Sequence, residues 1–289
     1  MKKFSEKYQL PLVDVNCDIC GSKSFKYLNK IRSLNIVRCC ECQFIYTNPR
    51  LMYDYKNIKS SIVERVDEYE KYYYDITKID YLEFLKKVKP NDTNNRLLDF
   101  GSGLGHFLNL AKEEGWDVFG FEIDSDAAEW STNNFQLDVF RSQSEVKSSS
   151  KQFDVITLWD VIEHIENPEK VIEFCYDLLK PGGILYIKTP NATGLEMKKN
   201  IFNILPLFFY WNLVYPAMPY EHIYHFKLVD IKKILSSFNL KIFTYNEIYF
   251  NKKNFIGRNY FIKIFRNFFG RISSLLLMPY EMEIYAKKK

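Results

Sequence analysis

Five of the six cysteines, Cys17, Cys20, Cys39, Cys40 and Cys42, crowd into residues 17–42, while Cys175 stands apart. Cys17-x-x-Cys20 followed by Cys39-x-x-Cys42 is the spacing of two knuckle turns that close four thiolates around one zinc ion. Gly21 suits the turn after the first pair. Cys40 competes as a ligand, but Cys39 is the residue with the two-residue spacing to Cys42. Four thiolates leave no open position for water, so such a zinc is structural. The alternative is a cluster of free thiols, since disulfides are disfavoured in a chain that opens without a secretion signal.

The second constellation is glycine-based. Three of the 11 glycines lie in Asp99-Phe100-Gly101-Ser102-Gly103-Leu104-Gly105, after the apolar run Leu97–Phe100 and ahead of a helical pattern. Glycines there let a backbone approach a ligand closely. The spacing is not the dinucleotide G-x-G-x-x-G, and no Lys-Ser/Thr follows to form a P-loop. The next apolar run ends at Gly120-Phe121-Glu122, where an acid can accept hydrogen bonds from two ribose hydroxyls; an ordinary helix cap is the competing reading of Glu122. A third run, Phe153–Trp159, ends at Asp160 and faces the same crevice.

These residues need a scaffold, and the rest of the chain supplies its pattern. Apolar runs at Leu97–Phe100, Val118–Phe121, Val139–Phe140, Val155–Trp159 and Ile184–Ile187 alternate with helical periodicity, as in a parallel sheet covered on both faces. A helix is expected over about Ser60–Val88, ended by Lys89-Pro90, and another near Leu228–Phe238. Lys241–Tyr249 and Met282–Ala286 read as strands. With 289 residues, 47% of them hydrophobic, the chain can bury a large core and is too apolar to be disordered. A net charge of +4 leaves no nucleic-acid footprint in the composition. The cytoplasm is the expected compartment, because the uncharged run Ile201–Tyr220 is broken by Pro206, Pro216 and Pro219. Residues 254–289 carry seven Lys/Arg against two Asp/Glu, interleaved over 254–279 with Phe255, Phe261, Phe265, Phe268 and Phe269. Such a stretch either lies on the inner face of an anionic membrane or packs as a lid with its basic face in water.

The segments from Arg96 to Pro190 resemble, in order, the motifs of class I S-adenosylmethionine-dependent methyltransferases. The glycine loop corresponds to the first motif, and Phe153-Asp154-Val155 through Asp160-Val161-Ile162-Glu163-His164 and Leu179-Lys180-Pro181-Gly182-Gly183 to later ones. The resemblance implies an α/β, Rossmann-like seven-stranded sheet, mostly parallel with one antiparallel strand. It implies that Asp99, Gly101, Ser102, Gly103 and Gly105 bind the methionine end of S-adenosylmethionine, that Glu122 holds the ribose, and that Ile123 lies against the adenine. Trp159 and Asp160 would line the floor near the reacting methyl. A zinc ribbon joined to such a domain through Asn48-Pro49-Arg50 is similar to a bacterial group that includes deoxysugar C-methyltransferases. Those enzymes continue with a further domain, and this sequence ends at Lys289 just after its last expected strand. They also carry a catalytic Glu-His pair after the fifth strand, and Glu221-His222 occupies the matching place.

Methyl transfer from a sulfonium is a direct displacement that needs alignment and removal of an acceptor proton. His222, beside Glu221, is the expected base and His225 the second choice; the competing reading is that Tyr220-Glu221-His222 only shapes the pocket. Some family members hold a divalent metal at substrate hydroxyls with an acid-x-x-Glu-His set and a later histidine, and Asp160, Glu163 and His164 have that spacing. The expected organisation is a zinc-ribbon module over 1–58 and a methyltransferase domain over 59–289, with substrate-covering insertions near 193–227 and 251–279. The expected acceptor is a small molecule, a sugar nucleotide or surface-polysaccharide saccharide. The alternatives are O-methylation of a quinone or aromatic lipid precursor, and a non-catalytic nucleic-acid-binding zinc-ribbon protein.

Overall fold

A computed structural model describes residues 12–31, 34–51, 62–70, 75–89, 95–193, 222–249 and 279–289. Seven strands form the main sheet: β6 (Arg96–Phe100), β7 (Asp117–Phe121), β8 (Asp138–Phe140), β9 (Phe153–Trp159), β10 (Leu179–Pro190), β12 (Leu240–Tyr249) and β13 (Pro279–Lys288). Their order is β12-β13-β10-β9-β6-β7-β8. β13 runs antiparallel to both neighbours, and the other contacts are parallel. The chain lays β7 and β8 on one side of β6, then returns to lay β9 on the other. Strand order therefore reverses between β6 and β9, which opens a crevice at their carboxyl ends.

The apolar runs are continuous because both sheet faces are covered. Leu98, Phe100, Ile156, Leu158, Leu185 and Ile187 point to one core, and Leu97, Val155 and Tyr186 to the other. The second core is closed by α2 (Asp75–Val88), after the short α1 (Val66–Tyr69), and by α3 (His106–Glu113). Phe84, Leu85 and Val88 recur at helical spacing on the buried side of α2. α4 (Ser125–Phe135) starts where the Asp124 carboxylate caps the N–H groups of Asp126 and Ala127, and α5 (Gln143–Ser148) starts on Ser142. α6 (Pro168–Leu178) and α7 (Leu228–Ser237) cover the first core, with Cys175 fully buried inside it.

The cysteine module is antiparallel: β2 (Phe25–Ile31), β3 (Leu34–Cys39) and β4 (Ile45–Thr47), with β1 (Leu12–Val13) and β5 (Arg50–Leu51) pairing separately. Its fourth strand comes from far along the chain. β11 (Tyr224–His225) pairs with β4, giving the order β11-β4-β3-β2. Cys17, Val37, Phe44 and Tyr46 consequently share one core with Ile223, Tyr224, Phe226 and the main sheet.

The expected strands and the helix near Phe238 are present to within a few residues, whereas the stretch expected as one helix over about Ser60–Val88 holds a 3-10 turn, Val63–Arg65, then α1 and, from Asp75, α2. The boundary near residue 58, most of both insertions, the run Ile201–Tyr220 and the basic stretch 254–278 lie outside the described residues. Among the described residues no helix is long and apolar enough to cross a membrane.

Candidate active site and cysteine centre

Asp99 is the penultimate residue of β6, fully enclosed, and its Oδ1 accepts a 2.6 Å hydrogen bond from the Thr157 hydroxyl on β9. Burial, reinforced by the charge of Glu122, raises the Asp99 pKa to about 7 against the pull of that hydroxyl. The loop after Asp99 turns back on β7: the N–H groups of Gly101 and Ser102 both donate to the Phe121 carbonyl. Gly103 adopts φ +51°, and a Cβ there would meet no protein atom within 4 Å, so the loop presents bare backbone to the crevice. Gly105, at φ +76°, opens α3, and a Cβ there would strike Leu137 and Ser131.

Glu122 closes the other side. Its Oε2 accepts from the Gly103 N–H at 2.8 Å and its Oε1 from the Asp124 N–H at 2.8 Å. Burial lifts its pKa while these amides oppose the rise. Each oxygen retains a second lone pair for a ligand hydroxyl. Ile123, next to it, is 49% exposed. Trp159 packs against Tyr81, Phe84, Phe107 and Tyr186 beneath it.

Asp160 follows β9 with φ +52°, and its carboxylate is half exposed. It faces Lys188, whose ammonium lies 4.0 Å from Asp160 and 3.2 Å from Glu281. Burial would discharge Lys188, but the carboxylates of Asp160, Glu281 and Asp80 outweigh it and raise its pKa.

Beyond Asp160 a short 3-10 turn, Ile162–His164, carries a second polar cluster. Ligand atoms of Glu163, His164 and His222 all lie within 4.8 Å of one another. The rings of His164 and His222 meet edge to face at 4.7 Å. Glu163 Oε2 accepts from the Thr189 hydroxyl, whereas Oε1 is buried, has no hydrogen-bond partner among the described residues, and sits 3.9 Å from His164 Nε2. Burial and the charge of Asp160 push the Glu163 pKa well upward. An orphaned carboxylate oxygen between two imidazoles fits a divalent cation or an acceptor hydroxyl. Asp160 is outside this cluster, held instead by Lys188. His225 is buried with Nε2 3.2 Å from the Thr47 hydroxyl, and burial lowers its pKa to about 3. Glu221 lies outside the described residues.

The four expected cysteine ligands converge, with Cys40 left out. Cys17–Cys42 and Cys20–Cys39 Sγ separations are both 3.5 Å, far longer than a disulfide and close to the edge of a zinc–thiolate tetrahedron, about 3.8 Å for bonds of about 2.3 Å. Burial works against the Cys39 thiolate, but the N–H groups of Cys42 and Glu41 turn toward it and bring its pKa down to about 7.

A profile of the methyltransferase-domain family matches residues 68–245, well over half of the chain. The chain belongs to this family. It is a class I S-adenosylmethionine-dependent methyltransferase. A ubiquinone biosynthesis O-methyltransferase of Glaesserella parasuis is 31% identical over 158 residues, 48% of this chain and 67% of the relative. The enzyme of the same name from Rickettsia bellii is 26% identical over 211 residues, 68% of this chain and 85% of the relative. A methyltransferase structure from Archaeoglobus fulgidus superposes with a TM-score of 0.52 at 23% identity, over 77% of this chain and 99% of that one, and supports the fold.

In this methyltransferase, three threonines went unnoticed in the sequence: Thr157 beside Asp99, Thr189 beside Glu163 and Thr47 beside His222. Thr157 and Thr189 share one legible signal, a hydroxyl at or near the carboxyl end of a mostly apolar strand.

Proposed function

We propose that this methyltransferase transfers a methyl group to a hydroxyl of a small-molecule acceptor of the quinone-precursor or aromatic-lipid class. The observation that carries the reading is the Glu163–His164–His222 cluster, with its orphaned Glu163 Oε1, one turn beyond the end of β9. The printed names of the relatives from Glaesserella parasuis and Rickettsia bellii support the acceptor class. A saccharide acceptor is the second reading, supported by the four-cysteine module and its likeness to that of bacterial sugar methyltransferases.

In the proposed site, Asp99, Gly101, Ser102, Gly103 and Gly105 receive the methionine end of S-adenosylmethionine, Glu122 its ribose and Ile123 its adenine. Trp159 and Asp160 bound the methyl. His222, with Glu163 and His164, orients the acceptor hydroxyl and takes its proton as the oxygen attacks the methyl carbon and the sulfur leaves. His225, neutral and enclosed, serves as a packing partner. A divalent cation held by Glu163, His164 and His222 would instead supply Lewis acidity that lowers the hydroxyl's pKa, and His222, its lone pair then on the cation, would be a ligand rather than the base. Cys17, Cys20, Cys39 and Cys42 hold a structural zinc, in a module over 1–58 ahead of the methyltransferase domain over 59–289.

The test is mass spectrometry of candidate acceptors incubated with enzyme and methyl donor, comparing a prenylated dihydroxybenzoate with sugar nucleotides. Methylation of the catechol supports the first reading, and exclusive methylation of a sugar overturns it. His222→Ala should lower turnover by about 10²–10⁴, the usual range for one general base, with cofactor affinity retained. Unchanged turnover in that variant would remove His222 from the chemistry.

A further inference from the structure

β11 is a strand of the cysteine module's sheet, although it lies between the candidate base His222 and α7 of the methyltransferase fold. The Thr47 N–H donates to the Ile223 carbonyl at 3.0 Å, and the Thr47 hydroxyl donates to the His222 carbonyl at 3.0 Å. The Ile223 N–H donates in turn to the Glu163 carbonyl at 2.9 Å. A hydroxyl has one proton, and Thr47 commits it to His222, so its oxygen accepts from His225 Nε2–H at 3.2 Å. Thr47 thus gathers both ends of the His222–His225 segment, and the Ile223 N–H ties that segment to Glu163. All of these groups are buried, where a missing partner is costly and a satisfied network is rigid. A second arm runs parallel to the first. The Arg50 guanidinium lies 2.9 Å from Asp18, inside the first cysteine pair, and 3.5 Å from Glu166, two residues past His164.

We infer that Thr47 is a positioning residue for His222, and that through it the four-cysteine module forms one wall of the acceptor site. Thr47 touches neither cofactor nor acceptor; it acts through the backbone of His222. The inference rests on the reading of His222 as the acceptor-side base. It explains in physical terms why a coordinatively closed cysteine centre is built into a methyltransferase: it stiffens the strand that fixes the base.

Thr47→Val keeps the branched shape and removes the hydroxyl, and Thr47→Ser restores the hydroxyl without the methyl. Thr47→Val should lower kcat about tenfold, with cofactor affinity by calorimetry and zinc content by elemental analysis unchanged, and Thr47→Ser should recover most of the loss. The ring resonances of His222, assigned by their disappearance in His222→Ala, should move in Thr47→Val and return in Thr47→Ser. In the His222→Ala background Thr47→Val should cost little further, because the residue it positions is gone. Wild-type kcat in Thr47→Val, or the same fractional loss with and without His222, overturns the positioning role. Wild-type turnover in His222→Ala overturns the reading of His222 itself and the inference with it.

Discussion

Asp99 and Thr157 are joined by a 2.6 Å hydrogen bond across the two strands between which the strand order of the sheet reverses. The bond fixes a buried carboxylate near the end of β6 and opposes the burial that raises its pKa from 3.8 to about 7. In the proposed site an ionised Asp99 is the form that would attract the cofactor's ammonium. Affinity for S-adenosylmethionine should therefore rise about tenfold between about pH 6 and about pH 8. Thr157→Val removes the opposing hydrogen bond and should shift that rise to higher pH. The sign reverses for stability of the cofactor-free protein: Asp99 binds its proton more tightly when folded, so its contribution to stability falls as pH climbs from the usual carboxylate range through about 7. Calorimetric titrations across this range, with a flat profile as the contrary result, check the assignment.

Glu122 links the glycine loop to the start of the next helix through the N–H groups of Gly103 and Asp124. Glu122→Ala removes the proposed ribose acceptor and unties the loop at once. The expected loss of cofactor affinity is about 1.5–3 kcal/mol, or about ten- to a hundredfold. Equal affinities in variant and parent would exclude Glu122 from the site. Gly103→Val should also lose binding, because its left-handed backbone disfavours a branched side chain and its Cβ projects into the space the ligand needs.

Purified protein should carry about one zinc per chain, absent in Cys17→Ser and Cys42→Ser. Cys39 ends a strand of the four-strand sheet, so chelation should lower the melting temperature and raise the KM for the acceptor before it weakens cofactor binding. A metal-free preparation with full activity and an intact Cys17–Cys20–Cys39–Cys42 cluster would be the decisive contrary result.

Lys188 is 6% exposed and balances Glu281 and Asp160 at the carboxyl end of β10. Lys188→Met should destabilise the fold by about 3–5 kcal/mol, since it leaves buried carboxylate charge without a partner. Lys188→Met combined with Glu281→Leu should recover much of that loss in thermal melts. A double variant no more stable than the single one would show that the packing of the Lys188 side chain, rather than charge balance, stabilises this corner.

Much of this molecule was legible in the sequence because the signals are local. Continuous apolar runs mark strands buried on both faces, the spacing of Phe84, Leu85 and Val88 marks a helix face, and three glycines after a strand mark a close backbone approach. The paired C-x-x-C knuckles likewise carry their geometry in their spacing, and the fold brings those four sulfurs together while excluding Cys40. Tertiary structure decided what the polar residues face. A two-residue strand such as Tyr224–His225 has no periodicity to detect, and its partner in the cysteine module precedes it by most of the chain. Thr47 and His222 are 175 residues apart, and only the closing of both sheets over one shared core brings them together. Asp160, Glu163 and His164 show the same limit at short range. Their spacing suggests one ligand set, yet the positive φ at Asp160 turns its carboxylate toward Lys188 and leaves His222 to complete the cluster.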